Sequence, residues 1–267
     1  MPTQTALQYH VTERQRDELW RKGHILLENV LSADHVTEHE KSISEAVRRL
    51  SAEDRSLEER DTYGKAFLQI TNLWTKDDAV KQFVFEKKFA QIAADLLGAE
   101  KVRLYHDQAL FKEPGGGGTP WHQDKYYWPL DTEKMITMWM PLVDIDEEMG
   151  MIAFASGSHA NGAVDNVEIS DKSEELYRRY VTERGFPIAG PSSMRAGDAT
   201  FHLGWTIHSA GPNRSEKMRE VMTVIYFADG AKVTAPESTH QQADLDAWLP
   251  GLRPGEIADS HLNPIMN

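Results

Sequence analysis

From Val102 onward the chain is written in short apolar segments separated by turns. Residues 102–112, 119–124, 134–144, 151–155, 199–208 and 219–228 each have strand length and composition. The last is dense in Val, Ile, Thr, Tyr and Phe. Strands of such irregular length bury their apolar faces by folding sheet on sheet, as a sandwich or jelly roll. The first hundred residues read differently. Val11 to Lys22 has a helical pattern, with Thr12 as its cap and Gly23 as its stop. His24 to Leu31 reads as a strand, and Ser32 caps a helix from Ala33 to Leu50. Phe67 to Ile70 is a further strand, and Asp77 to Leu97 a third helix ended by Gly98. Helices first and strands afterwards predict an α+β, mainly β chain, with the N-terminal helices packed on one side.

Within the strand-rich half, Thr119-Pro120-Trp121-His122-Gln123-Asp124 carries a histidine and an aspartate two residues apart. On a strand such residues share a face, so an imidazole nitrogen and a carboxylate oxygen can meet at one point. A metal ion is the usual reason. An exposed polar pair at a strand end is the plainer alternative. Gly115 to Gly118 upstream let the chain turn, and Trp121, Tyr126, Tyr127 and Trp128 place aromatics around the pair. Two histidines and one carboxylate would complete the facial triad of non-haem iron(II) oxygenases.

Composition narrows the class. The 267 residues hold no cysteine, which excludes disulfides, thiolate metal sites and cysteine nucleophiles. A net charge of −13 argues against nucleic acid or an anionic membrane as partner. The N-terminus has neither a basic nor an apolar signal region, and no apolar run approaches membrane-spanning length. A cytoplasmic location is expected. The organisation expected is one domain over 1–267: a helical part at about 11–100, a β core at about 101–230 and a tail at 231–267 wrapping as loops. Residues 1–10 read as a loose end, Ser51 to Thr62 as a solvated charged stretch, and 160–190 as an insertion near the site with a short helix from Asp171.

An ordered set of short motifs carries a resemblance. Gln108-Ala-Leu-Phe-Lys-Glu-Pro114 comes first, then Trp121-His-Gln-Asp124 and Trp139-Met-Pro-Leu-Val-Asp144. Gly150-Met151, Ser156-Gly-Ser-His159, Gly197-Asp198 and His208 to Asn213 with Arg219 follow. The segment from Leu104 to Asp229 resembles the phytanoyl-CoA dioxygenase family of iron(II)- and 2-oxoglutarate-dependent oxygenases. That resemblance implies a double-stranded β-helix, cupin-like core with Fe(II), 2-oxoglutarate and O2 meeting at His122, Asp124 and His208. His202 is the rival third ligand, since in an unbroken strand it would share a face with His208. His208 is preferred for its place at the opening of the Ser-Ala-Gly-Pro-Asn turn and for its match to the family's distal histidine.

The resemblance further implies that Arg219 receives the 5-carboxylate of 2-oxoglutarate, the planar guanidinium matching a carboxylate fork. Gln108 and Trp139 correspond to residues lining the same pocket, with Gln69 as an addition. Trp139 reads equally well as core. A small-molecule substrate follows from the family, whereas no basic cluster suits a coenzyme A thioester. A carboxylate at Asp124 favours hydroxylation, desaturation or cyclisation over halogenation. The alternative function is a catalytically silent cupin-like binding protein, which the presence of all four key residues disfavours.

Overall fold

The structure is a computed structural model and describes residues 9–51, 55–165 and 167–267. In chain order the helices are α1 (Glu13–Lys22), α2 (Ala33–Leu50), α3 (Thr62–Ala66), α4 (Asp78–Val84), α5 (Lys87–Leu97), α6 (Asp171–Arg184) and α7 (Thr239–Trp248). The strands are β1 (His24–Leu27), β2 (Leu68–Thr71), β3 (Val102–Phe111), β4 (Thr119–His122), β5 (Met135–Pro141) and β6 (Ile145–Asp146). They continue with β7 (Ile152–Ala155), β8 (Ile188–Ala189), β9 (Ser193–Met194), β10 (Ala199–Leu203), β11 (His208–Ala210) and β12 (Val221–Ala228). A six-stranded sheet is ordered β1-β10-β5-β12-β3-β2, and a four-stranded sheet β4-β11-β7-β8. Their pairings are antiparallel. This is the jelly-roll arrangement expected for the family.

Alternation along the central strands decides what each face does. Ile136, Met138 and Met140 of β5 and Met222, Val224 and Tyr226 of β12 are buried on the outer face, in one cluster with Phe89, Ile92 and Ala93 of α5. Each such side chain contributes roughly 1.5–3 kcal/mol on burial, so the helices clamp the sheet from behind. The intervening residues project inward, apolar toward the strand ends at Met135, Val221 and Phe227 and mixed with polar side chains in the two middle rungs. Gln108, Thr223, Trp139 and Thr200 pair across the sheet as one rung, and His106, Ile225, Thr137 and His202 form the next. The apolar outer row fixes the backbone on which the inner rungs stand.

At the end of β3 the register shifts. Leu104 pairs with Tyr226 and His106 with Ile225, so Tyr105 is an extra residue on its strand. This β-bulge lets Tyr105 join Phe227 and Trp128 in a cluster on the inner side, next to His106.

Several elements differ from the sequence reading. The helix expected over Asp77 to Leu97 is two, α4 and α5, broken at Phe85 and Glu86, and Phe83 and Phe89 pack edge to face across the break. β1 stops at Leu27, because Asn29 turns with φ 53°. The strand expected over 199–208 is β10 and β11, in different sheets. The tail is not all loop: α7 lies in it, with Ser238 as its cap. In the charged stretch Arg60 is buried against Glu113 rather than solvated. The loose end expected over residues 1–10 lies outside the described residues up to residue 8, as do residues 52–54 of the charged stretch. Among the described residues no helix is long and apolar enough to cross a membrane.

Candidate active site

β4 and β11 are neighbours, and His208 stands directly opposite His122. Cross-strand pairs hold their side chains side by side, and the two rings lie 4.1 Å apart. Each ring is fixed by its own backbone. His122 Nδ1 donates to the Pro120 carbonyl at 2.7 Å, and His208 Nδ1 to the Thr206 carbonyl at 2.9 Å. A carbonyl accepts only, so both protons sit on Nδ1 and both Nε2 lone pairs are left for a metal.

Asp124 comes from a different geometry than the sequence suggested. β4 ends at His122, and Asp124 opens a 3-10 turn, Asp124–Tyr127. Its Oδ1 lies 3.5 Å from His122 Nε2 and 3.6 Å from His208 Nε2. The three ligand atoms fall within 4.8 Å of one another, the spacing of a metal site. Its Oδ2 is occupied by Thr137 Oγ1 at 2.9 Å and His202 Nε2 at 3.1 Å. One oxygen is thus anchored and the other presented. Burial would push this carboxyl up, but the imidazoles of His208, His122 and His202 hold it well below the usual range. Burial, reinforced by His122, holds the His208 imidazole neutral. The donor set is therefore two neutral nitrogens and one carboxylate oxygen, which fits iron(II) with open positions.

His202 is placed by this geometry as a partner of Asp124, on the opposite sheet from His208. The chain leaves β10 after Leu203 and crosses before β11 begins. The expected shared strand face therefore does not exist, although the two rings come within 4.4 Å.

A cavity of about 450 Å³ opens on these residues. Gln69, Gln108 and Trp139 all line it. Tyr63 donates to Gln69 at 2.6 Å, Gln69 Nε2 to Gln108 Oε1 at 2.7 Å, and Gln108 Nε2 approaches His106 at 3.5 Å. This chain of bonds fixes the orientation of both amides.

Arg219 is not part of the open wall. It precedes β12 and is bridged to Lys112 by two backbone bonds of 2.9 Å. Its guanidinium is buried 5.5 Å from the centre of Trp139. Nη1 donates to Gly150 at 2.6 Å, and Nε has no partner. Gly150 is required there. Its φ is 84°, and a Cβ would lie 2.3 Å from the Gly211 carbonyl. Burial alone pushes Arg219 down to about 9. A buried, incompletely bonded guanidinium that faces no acid has hydrogen-bonding capacity and charge suited to a carboxylate.

Further residues stand at or behind the cavity without a marked signal in the sequence. Lys112 is fully buried, donates to the Gly117 carbonyl and lies 3.5 Å from the Oγ1 of Thr119, which lines the cavity. Burial, reinforced by Arg219, pushes it down to about 6. Strand alternation from Gln108 through Leu110 pointed to it. Thr137 and the residues of α7 carried no such signal. Of the aromatics around the motif, Tyr127 and Trp128 line the cavity. Trp121 instead packs in a separate core against Tyr177 and Val181 of α6. Phe154 is core, stacked on His24 at 4.4 Å, and His159 binds the Trp20 carbonyl. His240 lines the cavity and pairs with Glu168 at 2.5 Å.

The phytanoyl-CoA dioxygenase (PhyH) profile matches residues 19–221. A probable alpha-ketoglutarate-dependent hypophosphite dioxygenase from Stutzerimonas stutzeri is 28% identical over 228 residues, 82% of this chain and 79% of its own. The methylphosphonate hydroxylase of Gimesia maris is 27% identical over 149 residues, 56% of this chain and 54% of its own. Among solved structures, the non-heme alpha-ketoglutarate-dependent epimerase SnoN from nogalamycin biosynthesis superposes with a TM-score of 0.75 at 27% identity. The match covers 96% of this chain and 98% of that one. SnoN has also been solved in complex with Fe3+, alpha-ketoglutarate and nogalamycin RO, and that structure superposes with a TM-score of 0.76. With the profile spanning most of its length, this chain belongs to the phytanoyl-CoA dioxygenase family and is an iron(II)- and 2-oxoglutarate-dependent oxygenase of a small molecule.

Proposed function

We propose that His122, Asp124 and His208 hold the iron, that Arg219 receives the 5-carboxylate of 2-oxoglutarate, and that Gln108, Trp139 and Gln69 shape its pocket. The observation that carries this reading is the division of labour at Asp124: Oδ2 is tied down, and Oδ1 faces two imidazole nitrogens whose tautomers are set. When bound, iron and 2-oxoglutarate activate O2, with 2-oxoglutarate oxidised to succinate and CO2 as the substrate is oxidised. The residues of this chain do the rest. Thr137 and His202 keep the carboxylate from turning away, Pro120 and Thr206 hold the rings, and Trp139 walls the cosubstrate from the core.

Hydroxylation is the outcome we assign. Asp124 would give a bound iron a carboxylate where a halide would otherwise need to sit, so the donor set of His122, Asp124 and His208 suits hydroxylation rather than halogenation. The cavity draws on residues from Tyr63 to Trp248, which supports treating the chain as one catalytic domain. We place it in the cytoplasm, where a cysteine-free iron(II) enzyme finds its cosubstrate. The hypophosphite and methylphosphonate substrates of its relatives are not carried over, because no Lys or Arg lines the cavity among the described residues. Succinate release on mixing with iron(II), 2-oxoglutarate and a metabolite extract, scored with new oxygen-bearing products, tests the assignment. Absence of both across extracts, from protein that binds iron and 2-oxoglutarate, would favour the silent binding protein instead.

A further inference from the structure

The cavity is electrically lopsided. Two buried cations outside its lining, Lys112 and Arg219, stand at one end, behind Thr119 and Trp139. β3 runs from there to the opposite end, where the bulged Tyr105 lies. Lys112 and Tyr105 are seven residues apart, roughly 23 Å along a strand. At the Tyr105 end the charged groups lining the cavity are acidic or histidine: Asp244 on α7, Glu168 and His240. Glu168 and His240 satisfy each other at the rim. Asp244 makes no ion pair among the described residues.

Asp244 is nonetheless a built acceptor. Tyr105, itself fully buried, donates to its Oδ2 at 2.8 Å, and the indole of Trp248, one turn along α7, acts with it to lower the carboxyl's pKa against burial. A carboxylate offers about four lone-pair sites, so acceptor capacity remains for a ligand. Burial pushes this carboxyl up to about 7, which marks a group held out of water without a cation. Aromatic side chains share the cavity with it: Trp248 lies one turn along α7, and Trp128 packs on Tyr105 at 5.6 Å. Tyr63, Phe67, Tyr127, Trp128 and Trp248 all line the cavity. Aromatic faces beside a carboxylate suit an organic cation, because the rings stabilise positive charge and cover the apolar body. A phosphonate or carboxylate would meet a like charge and no basic partner there.

We propose that the substrate of this site is an organic amine, whose ammonium group is received by Asp244 while its apolar body lies between the aromatic walls. α7 is then the recognition helix, contributing Asp244, Trp248 and His240. The proposal rests on the oxygenase reading above and names the substrate class for the same cavity.

The test uses phenethylamine, 2-phenylethanol, 3-phenylpropanoate and methylphosphonate as probes. Their affinities are measured by ligand-observed NMR with the protein loaded with zinc and 2-oxoglutarate. Phenethylamine should bind at least tenfold more tightly than the alcohol, with both anions weakest. Asp244→Asn should level the amine with the alcohol and leave 2-oxoglutarate affinity unchanged, which also shows that the variant is folded. Asp244→Lys should reverse the order in favour of 3-phenylpropanoate. An anion binding as well as the amine, an amine preference that survives Asp244→Asn, or no binding by any probe would overturn the proposal. Failure of the parent to bind metal or 2-oxoglutarate would instead sink the oxygenase reading, and the amine preference is then read on the metal-free protein.

Discussion

Replacing Arg219 with Met separates the cost of a buried cation from its use. The guanidinium is 1% exposed, has one protein acceptor, the Gly150 carbonyl, and faces no carboxylate in the free protein. A fall from its ordinary range to about 9 corresponds to roughly 5 kcal/mol against the charged form, at 1.36 kcal/mol per pK unit. Methionine removes that penalty, fills similar space and forfeits one hydrogen bond worth about 1 kcal/mol. The free Arg219→Met protein should therefore melt at or above the parent temperature. The cosubstrate response should move the other way. At a hundredfold excess over its Kd, 2-oxoglutarate stabilises the parent by about 2.7 kcal/mol, or roughly 5–10 °C in a chain of this size. Losing a buried charged partner costs about 2–5 kcal/mol in binding, so the variant should show almost no shift at the same concentration. Differential scanning calorimetry with zinc in place of iron, with and without 2-oxoglutarate, reads both quantities. A variant that melts far below the parent, or one that keeps the full cosubstrate shift, would refute the reasoning.

Arg219→Lys keeps the charge and loses the fork, so 2-oxoglutarate affinity should drop at least tenfold while metal affinity holds, as measured by titration calorimetry. Turnover under saturating chloride or bromide should yield oxidised products only, and a halogenated product by mass spectrometry would mean that Asp124 leaves the metal. Phenethylamine affinity should rise as pH goes from 6 to 8, because Asp244 is neutral below about 7 and charged above it, while the amine stays protonated. Of the groups facing Asp244, Tyr105 and Trp248 only donate, and His106 is held by burial near 3 and stays neutral. Glu168 and His240 stand at the rim, and the same pH slope in Asp244→Asn would assign the effect to them.

The parts of the site legible in the sequence were those whose chemistry demands neighbours in the chain. His122 and Asp124 are two residues apart because a strand end and a tight turn bring both to one point. His208 needed more than spacing: the crossing from one sheet to the other after Leu203 is what separates it from His202, and no local pattern marks such a crossing. β12 was readable as a strand because it is dense in β-branched and aromatic residues. The break between α4 and α5 was not, since the apolar pattern runs on through Phe83, Phe85 and Phe89 without a Gly or Pro. α7 was missed for a related reason. Its cavity-facing side mixes His240, Ala243, Asp244 and Trp248, and Leu245 is its only buried residue, so it carries no apolar stripe to read.

Which histidines hold the iron decides the chemistry of this site. Anaerobic titration with iron(II) and 2-oxoglutarate, followed by the visible metal-to-cosubstrate charge-transfer absorption, reads this directly. The parent should develop the band, His122→Ala and His208→Ala should not, and His202→Ala should keep it, because that ring touches Asp124 and not the metal position. A band that persists in His208→Ala and vanishes in His202→Ala would contradict the account and exchange the two roles.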